Sequence, residues 1–179
     1  MRSVLLAVSL FTSVAWADAP LQTAGEVDLQ RYQGTWYEIA RKPLFFQRKC
    51  VASEAVYALN NDGSVAVNNR CTSKSGKTIT ATGTATPQEP GRTDKLGVVF
   101  DNWFSTLFPK LTRGDYWVMH IDENYQNVLV GEPRRKYLWL MSREPNMDEA
   151  TKDQLLNIAR EQGYQLDDLI WRKDQKSSN

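Results

Sequence analysis

The sequence contains one histidine and two cysteines, and these low numbers exclude several kinds of active site. A Ser-His-Asp or Cys-His arrangement would have to use His120, and no nucleophile motif accompanies it. The chain also lacks the H-E-x-x-H, phosphate-loop and glycine-rich dinucleotide patterns. Because His120 falls within a predicted strand, we interpret it as a packing or polar-wall residue.

The chain has almost no excess of charge and only one long apolar run. It has 22 basic and 21 acidic residues, and without Arg2 both numbers are 21. This balance is not typical of a dedicated nucleic-acid-binding protein. The apolar run over 4–14, followed by Ala15-Trp16-Ala17, predicts a secretory signal peptide over 1–17. An uncleaved N-terminal anchor is the alternative, although the run is short for a membrane span.

After a polar lead-in over 18–33, segments rich in β-branched and aromatic residues alternate with turn signals. Asn60-Asn61-Asp62-Gly63, for example, is typical of a hairpin turn. Eight such segments with short links predict an all-β fold, an eight-stranded antiparallel up-and-down barrel that closes and so removes its edges. The predicted strands are 34–42, 50–59, 64–72, 77–86, 94–101, 114–121, 125–131 and 136–142.

The periodicity changes from strand to helix after the eighth strand. Asn146 as N-cap and Glu149 as capping-box partner predict one C-terminal flanking α-helix over about 147–162, which Gly163 ends. The apolar face of this helix must be buried, and we expect it to pack on the outer wall of the barrel against Leu138 and Leu140.

A short last strand is predicted at 169–171. Together these segments predict one barrel domain over 34–174, followed by a tail over 175–179.

Cys50 and Cys71 are an even pair in a chain with an export signal, which favours a disulfide. Folding the second and third strands about the turn at 60–63 brings the two cysteines within a residue or two of facing each other. A free catalytic thiol is the rival interpretation.

Three motifs, in order, resemble the signatures of the lipocalin family. They are Gly34–Arg41 (G-T-W-Y-E-I-A-R), Asp115–Val118 with Asp122, and Tyr137–Arg143 (Y-L-W-L-M-S-R). The resemblance is closest to the bacterial lipocalin group and runs from about Gly34 to Trp171. It implies a barrel that holds one small ligand, with a structural floor made of Gly34, Trp36 and Arg143, in which the arginine packs across the tryptophan.

Strand periodicity predicts which face of the first strand each side chain lies on. Period two places Trp36, Glu38 and Ala40 on one face and Tyr37, Ile39 and Arg41 on the other. Glu38 has no carboxylate partner for hydrolytic chemistry. We therefore interpret it as a buried partner of an arginine or tyrosine, or as a polar group inside a cavity.

These features predict binding of an elongated apolar ligand, a fatty acid or lysophospholipid. The resemblance also implies a role for this ligand binding: storage or transport of lipid for maintenance of the bacterial cell envelope. The alternatives are another apolar cargo (haem, pigment or isoprenoid), a protein-interaction barrel, or a lipid-modifying enzyme such as the prostaglandin-isomerising lipocalins. No catalytic residue, metal or cofactor is predicted. The predicted cavity and rim residues are Glu38, Phe45, Phe46, Trp103, Phe104, Tyr116, Tyr137, Trp139, Met141, Arg134 and Arg135.

Many bacterial lipocalins are lipoproteins with a cysteine at the signal cleavage site, whereas the first cysteine here is Cys50. We therefore expect a soluble, exported, periplasmic protein without a lipid anchor, with outer-membrane association as a further option. A monomer and a homodimer are both compatible with the sequence.

Four linkers are predicted to surround the open end of the barrel: 42–49, 73–77, 102–113 and 131–136. They combine aromatic and basic residues, including Lys42 and the Arg134-Arg135 pair. We expect this rim to contact an anionic membrane surface. Replacing both arginines with glutamate should then slow lipid transfer without changing stability. The alternative is that the loops are simply charged and the aromatic rings fold into the barrel.

Overall fold

The computed structural model describes residues 19–101 and 113–173. The predicted signal peptide and the predicted rim residues Trp103 and Phe104 lie outside these ranges. The elements in chain order are α1 (Leu29–Tyr32), β1 (Gly34–Arg41), β2 (Cys50–Leu59), β3 (Val65–Ser73), β4 (Thr78–Pro87), β5 (Lys95–Phe100), β6 (Arg113–Ile121), β7 (Asn127–Gly131), β8 (Leu138–Ser142), α2 (Glu149–Glu161) and β9 (Ile170–Trp171).

Strands β1 to β8 form a closed antiparallel ring. Each strand pairs with the next, and β1 closes the ring by pairing with both β2 and β8. The first half of β1 faces β2, with Trp36 opposite Ala55. β9 pairs with the end of β1 at Ala40 and Arg41. The predicted eight-stranded barrel is confirmed, and the strand ends lie within two residues of their predicted positions.

A β-bulge in β1 changes the predicted orientation of two side chains. The pairing with β8 shifts register between Glu38 and Ala40. Ala40 therefore packs in the outer cluster. Arg41, which faces the inward residue Trp139, lies on the interior side. The prediction of Ala40 inside and Arg41 outside is wrong, because one extra residue in a strand reverses the alternation beyond it.

Helix α2 packs on the outer wall of the barrel, as predicted. Leu155, Leu156 and Ala159 of the helix share one buried cluster with Leu138 and Leu140 of β8. All five side chains are at most 8% exposed. The helix thus covers the outward face of β8, while the inward face of the same strand remains available to the barrel interior.

The predicted N-cap of this helix is two residues too early. Asp148 is the N-cap, and its carboxylate accepts a hydrogen bond from the Thr151 N–H at 2.9 Å. Asn146 therefore does not cap the helix, and Glu149 is its first residue rather than a capping-box partner. Gly163 follows the end of the helix with φ of +85°, a conformation that glycine adopts at low cost.

The segment before β1 is fixed to the barrel by backbone hydrogen bonds. The N–H of Ala24 donates to the carbonyl of Val118, and the N–H of Gly25 donates to Asp94 Oδ2 at 3.1 Å. The Asp94 carboxylate is fully buried and also pairs with Arg92 at 2.9 Å. Asp94, at the start of the predicted fifth strand, is therefore a junction between the lead-in and the barrel.

Because the Asp94 carboxylate forms this junction, we expect the folded protein to lose stability in acid. Burial acts to raise the pKa of Asp94, but hydrogen bonds from Arg92 and Thr23 outweigh it and hold the pKa at about 2, below the ordinary 3.8. The depressed pKa stabilises the fold above about pH 4, and this contribution, at most about 2 kcal/mol, is lost as the pH falls through 2.

Denaturant unfolding of the native protein and the Asp94→Asn variant should therefore show a stability difference that shrinks between about pH 5 and pH 2. A difference that stays constant over this range would contradict the account.

The predicted disulfide between Cys50 and Cys71 is confirmed, with 5.5 Å between the two Cα atoms. Cys71 faces Ser53, and a bulge between Cys50 and Ala52 brings Cys50 into reach. The bond links β2 to β3 beside the 42–49 loop.

Replacing both cysteines with serine should lower the free energy of unfolding by about 3 kcal/mol, because the bond closes a loop of moderate length. The measurement is denaturant unfolding, with the reduced native protein as the matched control. Titration of the folded protein should find no reactive thiol. Two reactive thiols before denaturation would contradict the bond and favour the enzyme alternative.

Candidate ligand-binding cavity

The barrel encloses a cavity of about 180 Å³. Its wall is mainly apolar, with aliphatic residues from β2 to β5 and aromatic residues from β6 and β8. This composition is typical of a site for an apolar ligand with few polar anchoring groups. Seven of the predicted site residues line it: Glu38, Phe46, Tyr116, Arg134, Tyr137, Trp139 and Met141. That they bind a ligand stays a prediction.

The floor of the barrel is built on Trp36, which is fully buried. The guanidinium of Arg143 lies 4.0 Å from the centroid of the Trp36 ring. It also donates hydrogen bonds to the carbonyl oxygens of Arg31, Thr35 and Tyr125, at 2.8 to 3.2 Å. A cation over an indole with its donors saturated by backbone carbonyls is a structural arrangement.

Gly34 permits this close approach of Arg143 to β1. Its φ is +93°, and a Cβ atom there would lie 3.2 Å from Arg143 Nη1. A side chain at this position would be strained by the backbone conformation and would crowd the guanidinium.

Three tyrosines form a hydrogen-bonded group in the cavity wall. The hydroxyl of Tyr116 lies 2.7 Å from that of Tyr32 and accepts from that of Tyr57 at 3.0 Å. Burial raises the pKa of all three, to about 12 for Tyr57. The group is therefore neutral at physiological pH, and its hydroxyls satisfy one another.

Glu38 is a buried partner of an arginine, which is one of the two predicted alternatives. Its carboxylate accepts from Arg41 Nη1 at 2.7 Å, and Gln47 Nε2 lies 3.4 Å from its second oxygen. Burial raises the pKa of Glu38, and the guanidinium of Arg41 opposes this change. Glu38 also lines the cavity, so that this pair forms a polar position in a mainly apolar lining.

Glu132 is a cavity residue that sequence analysis missed. Its carboxylate accepts from the backbone N–H groups of Arg134, Lys136 and Tyr137, and so organises the β7–β8 turn. Its side chain is only 2% exposed. The turn sequence Gly-Glu-Pro-Arg-Arg contains no signal that separates such an inward carboxylate from an ordinary surface one.

Two predicted rim cations lie elsewhere, and one predicted aromatic residue lies outside the cavity. Phe45 is 72% exposed and does not line the cavity. Arg135 donates to the carbonyls of Gln162 and Ala19, both at 2.6 Å, and so fixes the end of α2 rather than the rim. Lys42 is buried and pairs with Asp168 at 2.6 Å. Both cations were misplaced because their partners lie more than 25 residues away in the chain.

The described residues show neither a metal centre nor a membrane-spanning helix. No group of three or more histidine, cysteine, aspartate or glutamate side chains within 19–101 and 113–173 could hold a metal ion. In the same ranges, neither helix has the length and apolar character needed to cross a membrane. His120 lies on β6 and is not among the cavity residues.

A closed eight-stranded barrel with an apolar cavity and one flanking helix is an architecture that can hold one small ligand. The family model of the lipocalin-like domain matches residues 27–174. The chain belongs to the lipocalin family, whose members bind small hydrophobic ligands and generally act as carriers.

Two relatives and one solved structure illustrate the similarity of this chain to lipocalins. The chain is 39% identical to temperature-induced lipocalin-1 of Arabidopsis thaliana over 145 residues, 80% of this chain and 77% of the relative. It is 36% identical to the outer membrane lipoprotein Blc of Citrobacter freundii over 147 residues, 82% and 78% of the two chains. Insecticyanin from the tobacco hornworm Manduca sexta shares the fold, with a TM-score of 0.67 at 16% identity over 88% and 86% of the chains.

Proposed function

We propose that this protein binds and stores or transports a lipid with one long alkyl chain, a fatty acid or lysophospholipid, in the bacterial cell envelope. The observation that supports the proposal best is the apolar cavity with a polar position at Glu38. An alkyl chain would contact the aliphatic wall and Trp139, while the polar end would remain near the 42–49 loop. The relatives named as outer membrane lipoproteins agree with a location in the envelope.

The rival cargoes and the enzyme alternative have less support in the cavity. Haem requires an axial ligand from a histidine, tyrosine or methionine, and His120 is not part of the lining. The hydroxyls of Tyr32, Tyr57 and Tyr116 bond to one another, which leaves Tyr137 and Met141 as lining side chains that could serve. A thiol-dependent isomerase requires a free cysteine, and both cysteines are in the disulfide. We further propose that the chain is exported to the periplasm through its N-terminal signal.

Native mass spectrometry of the protein purified without detergent tests this function. The expected result is a series of ions shifted by the mass of one bound lipid, which are lost after organic extraction and restored by added lysophospholipid. Folded protein that neither retains nor takes up a fatty acid or lysophospholipid would overturn the proposal.

The rim supports a second step, delivery to or from a membrane. Phe45 and Phe46 are 72% and 56% exposed. The guanidinium of Arg48 lies 4.9 Å from the Phe45 ring, and Lys49 beside it is exposed. Adjacent aromatic and basic side chains suit the interface of an anionic bilayer.

We expect Arg48→Glu to slow lipid transfer to anionic vesicles several-fold at low salt without altering stability, because one charge near such a surface contributes about 1 kcal/mol. The matched control is Arg160→Glu on the outer helix, which should transfer at the native rate. Stopped-flow transfer to fluorescent vesicles measures both. Equal rates for the two variants, or for anionic and zwitterionic vesicles, would contradict docking through this rim. This test replaces the Arg134/Arg135 reversal, since Arg135 stabilises the end of α2.

A further inference from the structure

Three cavity side chains carry a buried polar atom that has no hydrogen-bond partner in the described part of the chain. These atoms are Gln47 Oε1, Ser53 Oγ and Asn69 Oδ1. Ser53 is only 5% exposed. Buried polar atoms are almost always paired, because an unpaired one has lost its hydrogen bonds to water without replacing them. Three of them in one cavity indicate a place where a ligand supplies the partner.

The three atoms lie on one wall of the barrel, formed by β1, β2, β3 and the loop after β1. Ser53 immediately precedes Glu54, which faces Tyr37, so Ser53 lies one residue further along β2, on the Glu38 side of this pair. Asn69 faces Ala55, two residues along the same face of β2 from Ser53. Gln47 reaches this wall through its Nε2, which donates to Glu38 at 3.4 Å. The amide donor of Gln47 is thereby used, and its oxygen is left as an acceptor.

The chemistry of this wall favours a hydrogen-bond donor. Two of the atoms are carbonyl oxygens, which only accept, and the serine hydroxyl can accept or donate. Four carboxylates line the cavity in the described part of the chain, and three of them are paired with a guanidinium: Glu38 with Arg41, Glu54 with Arg70 and Glu132 with Arg134. A carboxylate head group has no proton to donate to the unpaired oxygens at neutral pH.

We propose that this wall, named here the acceptor wall (Gln47, Ser53 and Asn69), selects lipids that carry a neutral hydroxyl next to the alkyl chain. The glycerol hydroxyl of a lysophospholipid or monoacylglycerol meets this requirement, and a fatty acid carboxylate does not. The inference rests on the proposed function, since it assigns the polar end of the same ligand. The apolar remainder of the cavity then holds the chain, and the tyrosine group, already satisfied internally, does not compete for the hydroxyl.

The test compares two ligands that differ only in the donor. One is octadecyl-glycerophosphocholine with a free central hydroxyl, and the other is the same molecule with that hydroxyl methylated. Calorimetric titration of the full-length protein should show about tenfold tighter binding of the free hydroxyl, the effect of one to two buried hydrogen bonds. Stearate, of equal chain length, should bind more weakly than the free-hydroxyl lipid.

Two variants separate recognition of the hydroxyl from general binding. Ser53→Ala should weaken binding of the free-hydroxyl lipid about fivefold and leave the methylated lipid unchanged. Val98→Ala, on the apolar wall, is the matched control and should weaken both lipids equally. Asn69→Leu, which keeps the side-chain volume, provides a second variant should Ser53→Ala fail to fold.

The outcomes separate this inference from the proposed function. Equal affinities for the two lipids, or an equal loss for both in Ser53→Ala and in Asn69→Leu, would overturn the acceptor wall and leave lipid binding in place. Failure of folded protein to bind either lipid would overturn the proposed function itself.

Discussion

Replacing Trp36 with alanine is expected to lower the free energy of unfolding by about 4 kcal/mol, the usual range for a large buried aromatic residue. Trp36 is fully buried, and its indole N–H donates to the carbonyl of Tyr32 at 2.8 Å. The Tyr32 ring lies 5.0 Å from it on one side, and the Arg143 guanidinium lies 4.0 Å from it on another. Its removal leaves a cavity at the point where α1, β1 and the end of β8 meet.

Arg143→Ala is the companion variant. It removes the cation–π contact and three hydrogen bonds to backbone carbonyls, so we expect a loss of about 2 to 3 kcal/mol. Because the two side chains stabilise each other, the double variant should lose less than the sum of the single variants. Ligand preference should change little, since Arg143 does not line the cavity.

Thermal and denaturant unfolding measure all of these variants. The control is Trp171→Ala, a tryptophan that is 41% exposed on β9 and should cost less than about 1 kcal/mol. If the Trp36→Ala protein were as stable as the Trp171→Ala protein, Trp36 would not have the structural role assigned to it. An Arg143→Ala protein with unchanged stability and no lipid binding would contradict the structural role of Arg143.

Replacing Ala85 with tryptophan is expected to weaken lipid binding by about a thousandfold, equivalent to ~4 kcal/mol. Ala85 is 2% exposed and lines the cavity. An indole at this position would occupy much of the 180 Å³ available and leave no room for an alkyl chain. The barrel should still close, because the new side chain enters the cavity and not the strand pairing, at a cost of about 1 to 3 kcal/mol from crowding.

The matched control is Thr86→Trp, the next residue of β4, which is exposed. Adjacent strand residues point to opposite faces, so this tryptophan should leave affinity unchanged. Circular dichroism and thermal unfolding establish that both variants are folded, and calorimetric titration with lysophospholipid measures binding. Native affinity in folded Ala85→Trp would place the binding site outside the barrel.

Alternation of side chains along strands predicted most of the barrel because it is a local property. The inward positions Trp139 and Met141 and the outward positions Leu138 and Leu140 follow from parity alone. The end of β1 departs from parity, because a bulge inserts one residue and no composition signal marks it. Reasoning by period two therefore held up to Ile39 and failed at Ala40 and Arg41.

Long-range side-chain contacts are the features that sequence could not supply. Nothing in the local sequence around Arg135 or Asp94 indicates a distant partner, yet each bonds to backbone groups far away in the chain. The N-cap was also ambiguous, since Asn146 and Asp148 are both good caps and tertiary packing decides between them. Among the polar residues of the cavity, parity could have placed Ser53 and Asn69 inside, but only the structure shows that Ser53 Oγ and Asn69 Oδ1 have no hydrogen-bond partner among the described residues.

The central claim is that the barrel interior holds the alkyl chain, and contact quenching of Trp139 tests it most directly. Trp139 lines the cavity, whereas Trp171 lies on β9 and does not. A lysophospholipid with bromine atoms on its chain should quench tryptophan emission in a saturable titration with one lipid per protein. The quenched fraction should fall sharply in Trp139→Phe and stay unchanged in Trp171→Phe. Quenching that is not saturable, or that is equal in the two variants, would contradict the claim.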